Sequence, residues 1–262
     1  MTVNAAAMTI AIHASAKAGS KFYFAPEMSG LIDKDRLRAA AHISAEKHNI
    51  VLQAAQLAAA QTGVWVHIGS IPVQSELDST RFANRSLIID GKGSIIARYD
   101  KMHLFDVELF TGESWRESNA YCAGDKAVLV STPLGEMGMA ICYDLRFADL
   151  FSRLARAGAD ILAVPAAFTV PTGRAHWHTL LRARAIESAC FVVAAAQSGA
   201  HEDGRNTYGH SLVIDPWGEV LLDMGEEEGL GFAEIDLARI TEVRRQIPVH
   251  LNRRAIGDVA KY

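Results

Sequence analysis

Apolar residues along this chain form strand-like alternations and helix-like stripes, and one junction between the two points to a functional site. In GEMGMAI (135–141), large apolar residues alternate with small ones, which predicts a buried strand. Apolar residues at positions 147, 150, 151, 154 and 155 then follow helical spacing, with Asp144 placed to cap the helix and Gly158 to end it. Cys142 therefore lies on a tight strand-to-helix turn, a geometry that exposes a side chain.

The same patterns continue along the whole chain, where predicted strands alternate with predicted helices. Two strand pairs flank turns at 90–93 and 215–218, whose Gly and Pro residues favour hairpins. This mixture predicts one α/β domain over 1–262, in which helices cover buried sheets in a sandwich of three or four layers. The predicted helices cover 2–18, 34–61 and about 175–189, and the other main strands cover 21–27, 64–73, 161–168, 191–199 and 231–237.

Composition and charge exclude several classes of protein. Half of the 262 residues are hydrophobic and the net charge is −4, which argues against binding to nucleic acid or to an anionic membrane surface. No apolar run approaches the roughly 18 residues that span a bilayer, and the start of the chain lacks the basic region of a signal peptide. The three cysteines, at 122, 142 and 190, make neither a disulfide framework nor a metal-binding spacing. These features predict a cytoplasmic protein.

Three of the predicted strands end in chemically reactive residues. Glu27 follows KFYFAP, Lys101 follows SIIARYD, and Cys142 follows GMAI. Sites in open α/β sheets gather at the carboxyl ends of strands, where a carboxylate could take the thiol proton and an ammonium could stabilise an oxyanion. Each residue alone also has an ordinary explanation, as a buried cysteine, a loop glutamate or a solvated lysine. Spacing by itself leaves both explanations open.

The segments around these residues resemble those of a known family, and this resemblance favours the catalytic explanation over the ordinary one. APEM (25–28), YDKMHLFDVE (99–108) and GMAICYDLRF (138–147) resemble the three signature segments of the nitrilase, or carbon–nitrogen hydrolase, superfamily, and the similarity continues through FTVPTGRAHWHTLLRARAIES (168–188) to AEIDL. The resemblance implies an αββα sandwich that dimerises through its outer helices. It also implies that Glu27, Lys101 and Cys142 are the catalytic residues.

The resemblance further implies supporting residues around the three. A second glutamate supports the lysine in many members, and Glu108, Glu113 and Glu117 compete for this position. We choose Glu117 because WRESNAYCAGD (115–125) resembles the family segment that supplies it. The backbone N–H of Tyr143 is expected to help bind the oxyanion. Phe168 and Thr169, at the end of the 161–168 strand, are expected to line the pocket.

Within the superfamily, HLFDVE, ESN and TGRAHWHTLLRARAIE are most similar to the Nit branch. This similarity implies hydrolysis of an α-keto-acid amide such as deaminated glutathione, through a cysteine thioester and with release of ammonia. Arg174 or His176 would bind a carboxylate of that substrate. The alternatives are another amide, an N-carbamoyl amino acid or a nitrile as substrate, or a catalytically idle member that serves as a binding or scaffold subunit.

Two further expectations concern metals and the start of the chain. His176 and His178 form an H-x-H pair, but no third ligand is near in sequence, so we expect no metal site there. The implied chemistry also needs no cofactor. The expected partners are a small amide, water and a second copy of the chain. The family's first strand is not recognisable before helix 2–18. We therefore expect Met1 not to be the native start and a strand of about 5–6 residues to precede it. Alternatively, residues 1–7 extend and replace that strand.

Overall fold

The computed structural model describes residues 1–108, 112 and 114–261, and it forms an α/β fold. The helices are α1 (Thr2–Lys17), α2 (Arg36–Ala40), α3 (Ile50–Thr62), α4 (Ala148–Arg156), α5 (Val170–Ser188), α6 (Ala238–Gln246) and α7 (Val249–Asn252). The strands are β1 (Phe22–Phe24), β2 (Trp65–His67), β3 (Ile71–Gln74), β4 (Phe82–Ile89), β5 (Ile95–Asp100), β6 (Asp106–Glu108), β7 (Ser114–Arg116), β8 (Val128–Thr132), β9 (Gly135–Met139), β10 (Ile161–Ala163), β11 (Phe191–Ala194), β12 (Ser198–Ala200), β13 (Asn206–Tyr208), β14 (Leu212–Ile214) and β15 (Val220–Asp223).

The first sheet carries the strands that end near Glu27 and Lys101. Its order is β1-β2-β4-β3, with β5 paired to β4, and only the β1–β2 pair is parallel. Helices α1 and α3 pack against it through buried residues such as Ile12 and Leu52, which contact strand residues such as Val66 and Leu87. The buried residues of both helices therefore belong to one core with this sheet.

The second sheet carries the strand that ends near Cys142. Its order is β15-β14-β11-β10-β9-β8, with β9, β10 and β11 parallel in the centre. Phe151 of α4 and Trp177 of α5 belong to the core that these strands form, and the same core includes Ile88 and Tyr99 from the first sheet. The two sheets thus pack face to face with helices outside, and the predicted αββα sandwich is confirmed.

Several predicted elements differ from the structure. The predicted strand 161–168 ends at Ala163, and the predicted strand 191–199 divides into β11 and β12, of which β12 pairs with β13 in a separate sheet.

The predicted helix 34–61 is interrupted, because the Asn49 side chain accepts hydrogen bonds from the Val51 and Leu52 N–H groups and starts α3 afresh. The predicted strand 64–73 divides into β2 and β3 at Gly69, where φ is +72° and a Cβ would overlap the Pro26 carbonyl.

The predicted strand at 231–237 is also wrong, because no described strand pairs with this segment. An alternating sequence pattern can indicate which side chains of a strand would face the core, but it does not show that a neighbouring strand is present to pair with its backbone.

The start of the described chain is helical, as the pattern predicts, and β1 follows it at an edge of the first sheet. A strand ahead of residue 1 stays a prediction. None of the helices in the described ranges combines the length and the apolar character that crossing a bilayer requires.

Candidate active site

Cys142 lies on the predicted tight turn, but the residue is 7% exposed, so the turn buries the side chain and does not expose it as expected. After β9 the chain enters a 3₁₀ turn, Cys142–Arg146, and Cys142 has a φ of +47°, a left-handed conformation unusual for a residue with a side chain. Its backbone N–H donates to the Pro165 carbonyl at 2.9 Å, which fixes the turn against the end of β10. The side chain is thereby presented at the edge of both sheets.

Asp144 does not cap α4 as predicted, because Phe147 precedes that helix and no described side chain caps it; Asp144 stabilises the 3₁₀ turn. Its Oδ2 accepts from the Ile141 N–H at 2.9 Å and from the Tyr99 hydroxyl at 2.7 Å, and its Oδ1 accepts from the His103 backbone N–H at 3.0 Å. Tyr99 and His103 flank Lys101 in sequence. A fully buried carboxylate therefore ties the cysteine turn to the strand that carries the lysine.

Lys101 lies between two carboxylates. Its Nζ is 2.9 Å from Glu27 Oε1 and 2.9 Å from Glu117 Oε2, and its residue is 2% exposed. Burial alone would lower the pKa of Lys101, but the carboxylates of Glu117 and Glu27 hold that pKa well above its usual range. The lysine is therefore a permanent cation in a site from which water is largely excluded.

Glu27 is fixed by three donors. Besides Lys101, it accepts from Asn84 Nδ2 at 3.0 Å and from the Ala167 backbone N–H at 2.8 Å. Burial would raise the pKa of Glu27, but the charge and hydrogen bond of Lys101 outweigh burial and lower this pKa below its ordinary value. Glu27 is thus a carboxylate at neutral pH and can accept a proton.

The thiol of Cys142 faces this carboxylate. Burial raises the pKa of Cys142 well above its usual range, and the negative charge of Glu27 raises it further. Two carboxylates and one ammonium already give the buried cluster a net charge of −1, so a resting thiolate would add a second uncompensated negative charge. The geometry favours a neutral thiol that loses its proton to Glu27 only as it reacts.

The structure distinguishes among the three candidate supporting glutamates. Glu117 pairs with Lys101 and also accepts from the Phe105 backbone N–H at 2.7 Å. Glu108 is exposed at the end of β6. Glu113 lies outside the described residues. Of the two that are described, Glu117 is the one that reaches the lysine.

Asn84 is a site residue that the sequence reasoning missed. It is fully buried in β4 and donates to Glu27 at 3.0 Å and to Glu117 Oε1 at 3.3 Å, so it joins the two carboxylates. The available signal was the run of three polar residues, Asn84-Arg85-Ser86, within β4.

A cavity of about 1000 Å³ opens above these groups. Glu27, Lys101, Glu117 and Cys142 line it, as do the other expected pocket residues Tyr143, Phe168, Thr169 and Arg174. Among the described residues, no oxygen accepts a hydrogen bond from the Tyr143 backbone N–H. This donor therefore remains available beside Cys142.

His176 is the one expected pocket residue that does not line this cavity. Its Nδ1 lies 3.3 Å from an Arg146 guanidinium nitrogen on the exposed side of α5. The Arg146 guanidinium in turn covers the rings of Tyr143 and Phe168, at 5.8 Å and 5.5 Å from their centroids. His176 thus contacts a residue that packs on the pocket wall.

The H-x-H pair does not converge on one point. His178 instead approaches His210 and Asp223, and the ligand atoms of these three residues lie within 4.8 Å of one another. His178 Nε2 and His210 Nδ1 each lie 2.9 Å from an Asp223 oxygen, so the three side chains form hydrogen bonds among themselves. This cluster joins α5 to β15 and is separate from the lining of the cavity.

The thiol, the carboxylate and the ammonium line one cavity of an α/β sandwich, and the comparison with known sequences identifies the class of hydrolase. The carbon–nitrogen hydrolase family matches residues 2–245, and the chain belongs to that family within the nitrilase superfamily. The expected family and its chemistry of carbon–nitrogen bond hydrolysis are thereby confirmed.

Particular relatives are close in sequence and fold. The chain is 46% identical over 187 residues to a protein named deaminated glutathione amidase from Synechocystis sp., covering 71% of this chain and 69% of the relative. The crystal structure of Caenorhabditis elegans NitFhit is 37% identical with a TM-score of 0.87, covering 97% of this chain and 62% of that one. Saccharomyces cerevisiae Nit3, of branch 10 of the nitrilase superfamily, is 29% identical with a TM-score of 0.85, covering 97% and 91%.

Proposed function

We propose that this protein is an amidase in which Cys142 is the nucleophile, Glu27 the general base and acid, and Lys101 the main oxyanion-binding group. One observation carries this proposal. A single buried carboxylate, Glu27, contacts the Lys101 ammonium at 2.9 Å and faces the Cys142 thiol at the base of an open cavity. A proton acceptor, a cation and a nucleophile thus converge where a carbonyl group can enter.

The first half of the reaction forms a thioester. The Cys142 sulfur attacks the amide carbon while its proton passes to Glu27, and the carbonyl oxygen becomes an oxyanion held by the Lys101 ammonium and the Tyr143 N–H. The carbon–nitrogen bond then breaks, and Glu27 returns the proton to the leaving nitrogen. An amine leaves, and the acyl group stays on the sulfur.

In the second half of the reaction, water hydrolyses the thioester. Glu27 takes a proton from water while the water oxygen attacks the thioester carbon, and the Lys101 ammonium and the Tyr143 N–H bind the second oxyanion. The carbon–sulfur bond breaks, the carboxylic acid leaves, and the proton returns to sulfur. Glu117 and Asn84 act as positioning residues, because they hold Lys101 and Glu27 in place throughout both halves.

For the substrate, we propose an α-keto-acid amide with a distal carboxylate, of which deaminated glutathione is the first candidate. The name of the Synechocystis relative supports this choice. A cavity of about 1000 Å³ that includes Arg174 supports an extended anionic substrate. From a primary amide the nitrogen leaves as ammonia, whereas from deaminated glutathione it leaves as the amino group of cysteinylglycine.

A product assay with four compounds from three substrate classes tests the proposal. Deaminated glutathione, α-ketoglutaramate, an N-carbamoyl amino acid and a simple nitrile are incubated with the protein and with its Cys142→Ala variant, which controls for contaminating activity. We expect the highest kcat/KM for a keto-acid amide. Preference for the nitrile or the carbamoyl compound would contradict the substrate, and turnover of none of them would favour an idle binding subunit.

Two further properties are proposals of the same kind. Apolar side chains exposed on outer elements, such as Ile186 on α5 and Trp217 before β15, support a homo-oligomer formed through the outer helices. Light scattering of the purified protein measures its mass directly. Three cysteines without a disulfide support a cytoplasmic location, which fractionation of the source cells tests.

A further inference from the structure

The lining of the cavity is rich in positive charge. Among the described residues, two acidic residues outside the catalytic cluster line the cavity, Asp33 and Glu226, and Asp33 already pairs with Arg38, which does not line the cavity. Five of the described lining residues are basic, and we refer to them as the cationic wall: Lys34, Arg36, Arg116, Arg174 and Arg205. The cavity therefore attracts anions into the space that the Cys142 thiol also lines.

Arg205 is the most firmly held member of the cationic wall. Its Nε donates to Asp203 at 2.8 Å, and Asp203 is 7% exposed. Its guanidinium carbon lies 4.8 Å from the centroid of the Trp115 ring, which also lines the cavity. Stacking and one anchoring bond fix the plane of the guanidinium before any ligand arrives.

The same aspartate brings a second cation close. Asp203 Oδ2 also accepts from the Lys34 backbone N–H at 2.8 Å, so the loop that carries Lys34 is tied to the loop that carries Arg205. Within the described ranges, Asp203 is the one carboxylate that forms a salt bridge with Arg205, and Lys34 Nζ has none. The two loops are far apart in sequence, which is why sequence patterns did not reveal this pair.

Among the described residues, no carboxylate other than that of Asp203 pairs with the cations of this preorganised anion site. The anchoring bond uses Nε, so the two terminal nitrogens of Arg205 are not needed for it. A planar guanidinium can donate two parallel hydrogen bonds to the two oxygens of a carboxylate. A neighbouring ammonium attracts the same carboxylate as a point charge and needs no particular orientation. Charge that already lies in place binds an anion without an additional ordering cost.

We propose that Arg205 and Lys34 bind a substrate carboxylate that is remote from the scissile amide and so select extended anionic amides. For the identity of the substrate, this inference rests on the proposed function. Deaminated glutathione carries a carboxylate at each end of its chain, one on the keto acid and one on glycine. Arg205 and Lys34 share one cavity with Cys142, so an extended substrate can contact both places at once.

A labelling experiment tests the carboxylate site without any assumption about turnover. Cys142 is alkylated with a maleimide that carries a carboxylate on a three-carbon chain, and separately with neutral N-propylmaleimide, and site-resolved mass spectrometry gives both rates. The ratio of the two rates isolates the effect of the carboxylate. We expect this ratio to fall at least about threefold in Arg205→Gln and in Lys34→Gln, and to stay unchanged in Arg156→Gln, an exposed arginine outside the cavity.

Lys34→Gln keeps the test informative if Arg205→Gln destabilises the protein by removing the partner of buried Asp203. The side chain of Lys34 is exposed, and its tie to Asp203 is through the backbone, which the substitution preserves. An equal ratio in the parent, Lys34→Gln and folded Arg205→Gln proteins would overturn the carboxylate site, whatever the true substrate is.

Kinetics then connect the site to the substrate. Deaminated glutathione is compared with an analogue whose glycine carboxylate is an N-methylamide. We expect kcat/KM for the acid to fall about 10- to 100-fold in Arg205→Gln, or about 1.4–2.7 kcal/mol, mostly through KM. The neutral analogue should change less than about threefold. An equal loss for both compounds would contradict carboxylate recognition. If the labelling ratio falls in the variants as expected but the parent protein turns over neither compound, only the proposed function is contradicted.

Discussion

Cys142 and Cys190 are both buried thiols with raised pKa values, yet their surroundings differ in every respect that matters for chemistry. Burial raises the pKa of Cys190 to about 11, and its sulfur donates to the Ala159 carbonyl at 3.0 Å in the core. Cys142 lies on a strained turn, faces the Glu27 carboxylate and lines the cavity. The two residues therefore separate the effect of burial from the effect of a neighbouring base.

The comparison teaches that a raised thiol pKa does not by itself mark an inert cysteine. Both thiols are protonated at neutral pH, but Cys142 has a proton acceptor, an adjacent cation and a route to the substrate. Cys190 has a backbone carbonyl to satisfy its S–H and no connection to the cavity. Five experiments test the difference between the two cysteines, and they follow in order of decreasing expected effect.

Replacing each cysteine by alanine gives the sharpest contrast. Cys142→Ala should lower kcat by about 10⁵-fold because no other group can form the thioester. Cys190→Ala should keep activity within about threefold and lose about 1 kcal/mol of unfolding free energy, through a small core cavity. Steady-state kinetics and urea unfolding measure both. Activity of Cys142→Ala within tenfold of the parent would refute the cysteine mechanism.

Glu27→Gln removes the proton acceptor but keeps the shape. We expect kcat to fall by about 10³-fold, and no thioester to accumulate in a rapid-quench experiment followed by mass spectrometry. The amide cannot take the proton that Cys142 must lose. A full thioester burst with slow hydrolysis would mean that another group activates the thiol.

Lys101→Met removes the cation between Glu27 and Glu117. We expect kcat to fall by about 10²- to 10³-fold, because an oxyanion donor is lost. The unfolding free energy should fall by about 3–5 kcal/mol, because two buried carboxylates lose their shared partner. Lys92→Met, in an exposed hairpin turn, is the matched control and should change neither quantity.

Alkylation measures the contrast in the unmodified protein. Iodoacetamide at neutral pH should label Cys142 about 100-fold faster than Cys190, because Glu27 assists loss of the proton and the cavity admits the reagent. Peptide mapping over time gives both rates from one sample. Equal rates in the folded protein would show that the site does not activate its thiol.

Acid should make Cys142 resemble Cys190. The pKa of Glu27 lies below its ordinary value of 4.5, so the carboxylate persists at neutral pH and is lost only as pH falls through that lowered pKa. We expect kcat/KM to be flat from pH 8 to pH 5 and then to fall about tenfold per unit below the folded pKa, as the ion pair's stabilisation also disappears. A fall in kcat/KM that is already complete at pH 6 would contradict a lowered Glu27 pKa.

Much of the site was predictable because its reactive residues follow strands in sequence. The ends of β1, β5 and β9 place Glu27, Lys101 and Cys142 at one edge of the sheets, and the segments around them carry the family resemblance. Asn84 was missed because a buried polar residue within a strand gives no sign of which distant side chain it meets. His176 shows the converse, because a position at the start of a predicted helix does not tell which way its side chain points.

By itself, the sequence determined the α/β class, the tight turn at Cys142 and, through the motifs around them, the three residues that carry the proposed chemistry, since each of these depends on patterns within a few residues. Only the tertiary structure decided that Asp144 joins the cysteine turn to the lysine strand, that Glu117 reaches Lys101, and that Asp203 gathers Arg205 and Lys34 on one wall. It also decided that 231–237 is not a strand. Hydrogen bonds and ion pairs between residues far apart in sequence depend on how the sheets and loops pack, and no local pattern encodes that packing.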